Sequence, residues 1–98
     1  MDLFLRRVHH PQARNNYRVV VKLDGGEIEV GSIGVQTTNT GSMWVWGLDG
    51  AVPIKIRSEG TGKGVGQCMR RFRAAWDKFA ANEANLRAFL KTKRAARR

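Results

Sequence analysis

Apolar residues recur between Val65 and Leu90 at the spacing of an α-helix. Val65, Met69, Phe72, Trp76 and Phe79 follow one another at steps of four, three, four and three. At about 100° per residue they fall on one stripe. Arg70, Arg71, Ala74, Lys78 and Ala81 fall on the opposite side. An apolar edge with a basic back predicts a helix, from about residue 64, that must lie on a flat apolar surface.

Upstream, the period changes to two. Tyr17, Val19, Val21 and Leu23 alternate with Arg18, Val20, Lys22 and Asp24, the pattern of a half-buried strand. Asp24-Gly25-Gly26-Glu27 suits a tight hairpin, and Glu27–Val35 is the returning strand. Ile28 and Val30 share one parity and Ile33 and Val35 the other. A bulge near Gly31 reconciles them, because one extra residue switches the side-chain register. The polar run Gln36–Ser42 predicts a loop, and Met43–Leu48 a third strand with Trp44, Trp46 and Leu48 on one face. That aromatic platform either receives the helix through Phe72 and Trp76 or offers bare rings to a base or a proline-rich peptide. The small number of other large apolar groups favours the first. Pro53 and Ile54–Arg57 predict a short fourth strand.

Gly60, Gly62, Gly64 and Gly66 then alternate around Lys63. A phosphate-binding loop would need Ser or Thr after the lysine, where Gly64 stands, and the dinucleotide pattern fails at Val65. The expected role is a flexible joint, with Thr61 or Gly62 near the helix cap. The apolar period falters after Phe79, since Glu83 takes the next stripe position. Either Asn82 caps a second segment containing Leu86, Phe89 and Leu90, or one helix runs through. The expected fold is α+β: a three- or four-stranded antiparallel β-meander packed against a C-terminal amphipathic α-helix. Residues 1–15 read as a flexible N-terminal arm, 16–82 as the α+β domain, and 83–98 as a basic helical extension or tail.

Charge sharpens this picture. The 98 residues carry a net charge of +10. From Lys63 to Arg98 there are 11 Lys/Arg and 2 Asp/Glu, whereas residues 1–62 hold 7 basic and 6 acidic. The excess therefore sits on the helix and the tail. A basic block of this kind either keeps a small protein soluble or attracts polyanions. The expected function is sequence-independent nucleic-acid binding, with DNA or RNA phosphates on Arg70, Arg71, Lys78, Arg87, Lys91, Lys93, Arg94, Arg97 and Arg98. The alternative is a protein-interaction module or homodimer using Leu86, Phe89 and Leu90, with Leu3–Leu5 in support.

Catalytic chemistry finds little footing. Asp24, Asp49, Glu59 and Asp77 do not group, His9 and His10 are adjacent and point apart, and no nucleophile or metal-ligand spacing occurs. The expectation is a non-enzymatic protein without cofactor or metal. Cys68, the sole cysteine, is expected as buried filler, which suits a reducing cytoplasm. No run approaches the roughly 20 apolar residues of a membrane span. Leu3–Leu5 precede Arg6 and Arg7, the reverse of a secretory signal.

Tyr17, Gly31-Ser32-Ile33, Trp44-Val45-Trp46, Gly60 and the Met69–Phe79 helix together resemble a family of small uncharacterised alphaproteobacterial proteins. In these, a strand meander ends in W-x-W and an amphipathic helix follows. The resemblance covers roughly residues 17–80, implies a bacterial source and a structural core, and brings no activity. The architecture is also similar to the three-strand-plus-helix domains of AP2 factors and integrase arm-binding domains, which read DNA with the sheet. Glu27 and Glu29 on this sheet depart from that pattern and move any nucleic-acid contact to the helix back and tail.

Overall fold

The computed structural model describes residues 2–8, 15–23, 25–50 and 56–96. Among them the chain forms five strands and two helices: β1 Leu3–Arg7, β2 Asn16–Leu23, β3 Gly26–Thr38, β4 Gly41–Leu48, β5 Glu59–Gly62, α1 Val65–Ala80 and α2 Glu83–Ala96. The strands make one antiparallel sheet in sequence order. The fold is α+β, with one strand more than the sequence suggested.

The bulge lies where the parity of β3 demanded it. Val19 pairs with Gly31 but Val20 with Glu29, so Val30 is the extra residue on β3. Ile28 and Val30 before the shift and Ile33 after it are all buried, because the inserted residue returns both sets to one face.

Several expectations need correction. The N-terminal arm is in part structured: Leu3–Arg7 pairs along β2, Leu3 is buried, and Leu5 packs against the core. The loop foreseen over 36–42 shrinks to Asn39–Thr40, since Thr38 pairs with Gly41. There the Thr38 hydroxyl donates to the Gly41 carbonyl at 3.0 Å and accepts from the Thr40 N–H at 3.3 Å, a local substitute for a longer turn. Of the fourth strand expected at Ile54–Arg57, Ile54 and Lys55 lie outside the described residues, and Ile56 and Arg57 are not strand.

The strand is built instead from the glycine run expected to be a joint, Glu59–Gly62. Its glycines are spatial necessities. A Cβ at Gly60 would stand 2.9 Å from Trp46 Nε1, and one at Gly62 would stand 2.7 Å from Cys68 Sγ. Bare backbone lets β5 pass beneath the indole and α1 settle directly on the sheet edge.

That close approach rotates α1 from the stripe read in the sequence. Cys68, Phe72, Ala75, Trp76 and Phe79 are its buried residues, while Val65 and Met69 are half-buried. The helix starts after Gly64, close to the expected residue 64, but its N-cap is Gly64 and not Thr61 or Gly62, and it has no side-chain cap hydrogen bond. Gln67 serves the start instead, accepting the Lys63 N–H at 2.8 Å.

The two-segment alternative describes the C-terminal region. Asn82 Oδ1 accepts the Asn85 N–H at 3.0 Å and the Asn82 carbonyl accepts Leu86 N–H at 3.0 Å, an N-cap for α2. The turn folds Phe89 back onto α1, edge-on to Trp76 at 5.7 Å and to Phe79 at 5.5 Å between ring centroids. Phe72 meets Trp46 edge-on at 6.3 Å. Each such ring gains roughly 1.5–3 kcal/mol from burial, so these contacts tie α2 to α1 and α1 to the sheet.

Candidate functional site

The charged groups separate by element. On the strands, Arg6 pairs with Glu27, and Arg18 Nε lies 3.5 Å from Glu29. Arg18 also pairs with Asp49, just past the end of β4. Arg6 and Arg18 on the sheet are therefore answered by carboxylates, while Lys22 on β2 is exposed with no ion pair to a described residue.

The helices differ. Arg70, Arg73 and Lys78 on α1 and Arg87, Lys91 and Arg94 on α2 are exposed. No hydrogen bond or ion pair links any of them to a described residue. Arg87, Lys91 and Arg94 lie at i, i+4 and i+7, one face of a helix, and line a shallow hollow of about 510 Å³ with Leu90 and Ala95. The sequence had selected these three, as it had Arg70 and Lys78. It missed Arg73, which the same helical spacing could have supplied.

A larger groove, of about 690 Å³, runs between α1 and the segment entering β5. Its apolar lining is Trp46, Ile56, Ala74 and Ala75; its cations are Arg57, Arg71 and Lys78. Trp46 and Ala75 are buried, Ile56 is half-buried, and the three cations and Ala74 are exposed, so apolar surface forms the bottom and charge the rim. Arg71 is steadied by donating from Nη1 to the Thr61 carbonyl at 2.6 Å. That leaves further N–H donors of its fork unused. Arg57 was not legible as part of a site, since only the tertiary fold brings it beside α1.

Lys93 belongs elsewhere. Its ammonium lies 2.6 Å from Asp49 Oδ2 and 5.8 Å from the Phe89 ring centre, so this residue, expected at the phosphate surface, is committed to holding α2 on the sheet. Burial pushes the Asp49 carboxyl up, but hydrogen bonds and charge from Arg18 and Lys93 outweigh it and hold the carboxyl below the usual carboxylate range. Asp49 also donates its N–H to the Val30 carbonyl at 2.9 Å, tying the α2 anchor to the bulge. Arg97, Arg98, His9 and His10 lie outside the described residues.

The chain matches no family model, no curated protein and no solved structure. The resemblance to small alphaproteobacterial proteins therefore rests on the sequence alone, and what the chain does must be read from its own surface.

That surface narrows the protein-interaction alternative. Phe89 is 8 % exposed and lies within the core, while Leu86 and Leu90 are half-buried and pack against it. The tryptophan platform is likewise internal at Trp46, which is 4 % exposed; Trp44 is half-buried. Burial pushes the Cys68 thiol above its ordinary range, against the pull of Arg71, which keeps it a protonated packing group. Among the described residues no three His, Cys, Asp or Glu come together as metal ligands, and no helix is long and apolar enough to cross a membrane.

Proposed function

We propose that the protein is a non-enzymatic nucleic-acid-binding protein that grips phosphates with the outward faces of α1 and α2, without reading base sequence. The observation that supports this is the division of charge. Arg6 and Arg18 on the sheet are paired with carboxylates, whereas Arg70, Arg73, Lys78, Arg87, Lys91 and Arg94 face solvent with no such partner among the described residues. Unpaired cations on a rigid helix contact phosphates without first giving up an internal ion pair, and their counterion release supplies the affinity.

Salt titration tests it. Binding of a labelled duplex should weaken with a log–log slope of about −0.9 per phosphate contacted. Replacing Arg87, Lys91 and Arg94 together by alanine should lessen that slope by about 2–3, with the circular dichroism unchanged because none of the three holds the fold. An affinity indifferent to salt, or a slope unaffected by the triple replacement, would refute this assignment.

A further inference from the structure

We infer that the groove between α1 and Ile56–Arg57 holds an unpaired base of a single strand, its adjoining phosphates resting on Arg57, Arg71 and Lys78; this builds on the nucleic-acid function proposed above. A volume of about 690 Å³ lies within the range of preformed small-ligand sites, roughly 300–1,000 Å³. The described lining contains three cations and no carboxylate, so the occupant is anionic. The bottom is apolar, so the occupant also carries an apolar face.

A duplex meets the first condition but not the second. Its bases are stacked inside, and its phosphates are served equally well by the cation row of α2. A splayed-out nucleotide meets both: its base leaves water against Ile56, Ala74 and Ala75 while the phosphates on either side meet the rim. The Thr61 tie on Arg71 holds one guanidinium at the rim before the strand arrives, which lowers the ordering cost of binding. The groove thus sets a preference for single strands on a protein whose helix cations accept either form.

Fluorescence anisotropy on the full chain tests this, with a labelled single strand and a duplex of the same length at one low salt concentration. The unmodified protein should bind the single strand more tightly. Ala74→Leu fills the groove without touching a charge, on an exposed helical position where leucine is well tolerated. It should weaken the single strand several-fold, because the base loses its apolar seat, and leave the duplex where it was. Arg57→Gln, at a residue outside the strands and helices, should act in the same direction. Equal affinity for the two forms, or equal loss of both in Ala74→Leu, overturns the inference and leaves the proposed function standing. Polyglutamate that displaces the single strand from the unmodified protein but not from Ala74→Leu also overturns it, by making the occupant an acidic peptide. Failure to bind either nucleic acid removes the proposed function and this inference with it.

Discussion

Gly31 shows how one missing side chain controls the packing. A Cβ there would overlap the Phe72 ring and the Gly47 carbonyl oxygen, and Phe72 is fully buried between sheet and helix. Gly31→Ala should therefore cost about 2–3 kcal/mol, as overpacking in a tight core does, and a shift of the urea midpoint measures it. Asp49 is equally pivotal. The pKa of its carboxyl is lower in the folded state than in the unfolded chain, so at acidic pH the unfolded chain takes up more protons than the folded protein. The stabilisation from Asp49 is complete above the ordinary carboxylate pKa and fades as pH falls toward the lowered value. Asp49→Asn should lose stability at neutral pH, and the gap between variant and parent should close in acid. Urea unfolding of both proteins at the two pH values reads the effect directly. Lys93→Ala should destabilise in the same way, whereas Arg94→Ala should leave stability unchanged.

The elements differed in how openly the chain announced them. Alternation marked β2, opposite parities in β3 required a bulge, and α1 had a clear period of large apolar residues; all three rest on local rules that hold whatever the surroundings. Strand β5 was hidden because Gly60 and Gly62 carry no strand preference of their own. They are strand because Trp46 and Cys68 leave room there for backbone alone. Strand β1 was hidden because Leu3–Arg7 is too short for a convincing period and takes its order from β2. In α2 the cap at Asn82 was visible, but which side Phe89 faced was not, since that depends on the angle of the turn. Phe89→Ala should cost about 3–5 kcal/mol and loosen α2 from α1. Faster amide exchange along Glu83–Ala96 than along α1 would register that loosening.

Across the molecule, the same division governs stability and proposed function. The sheet and the inner sides of the helices form one apolar cluster, and the unpaired cations lie on the opposite sides of the helices. Six of the nine cations singled out from the sequence, Arg70, Arg71, Lys78, Arg87, Lys91 and Arg94, are exposed on the helices, and Lys93 is turned to structural use. Arg57 and the groove it borders were beyond reach, because they join residues from the far side of the 51–55 segment to the middle of α1. Substitutions on the cationic side should thus change ionic-strength dependence with little effect on melting, and those beneath should do the reverse. Paired melting and salt-titration series separate the two classes.

Trp46 Nε1 and Trp76 Nε1 are both sealed from solvent and have no hydrogen-bond acceptor among the described residues. An indole proton in that position can trade for deuterium only when its surroundings open. The chain therefore carries two internal clocks, one set between β5 and α1 and the other in the aromatic knot joining α1 to α2. Their relative rates tell which seam of the molecule parts first.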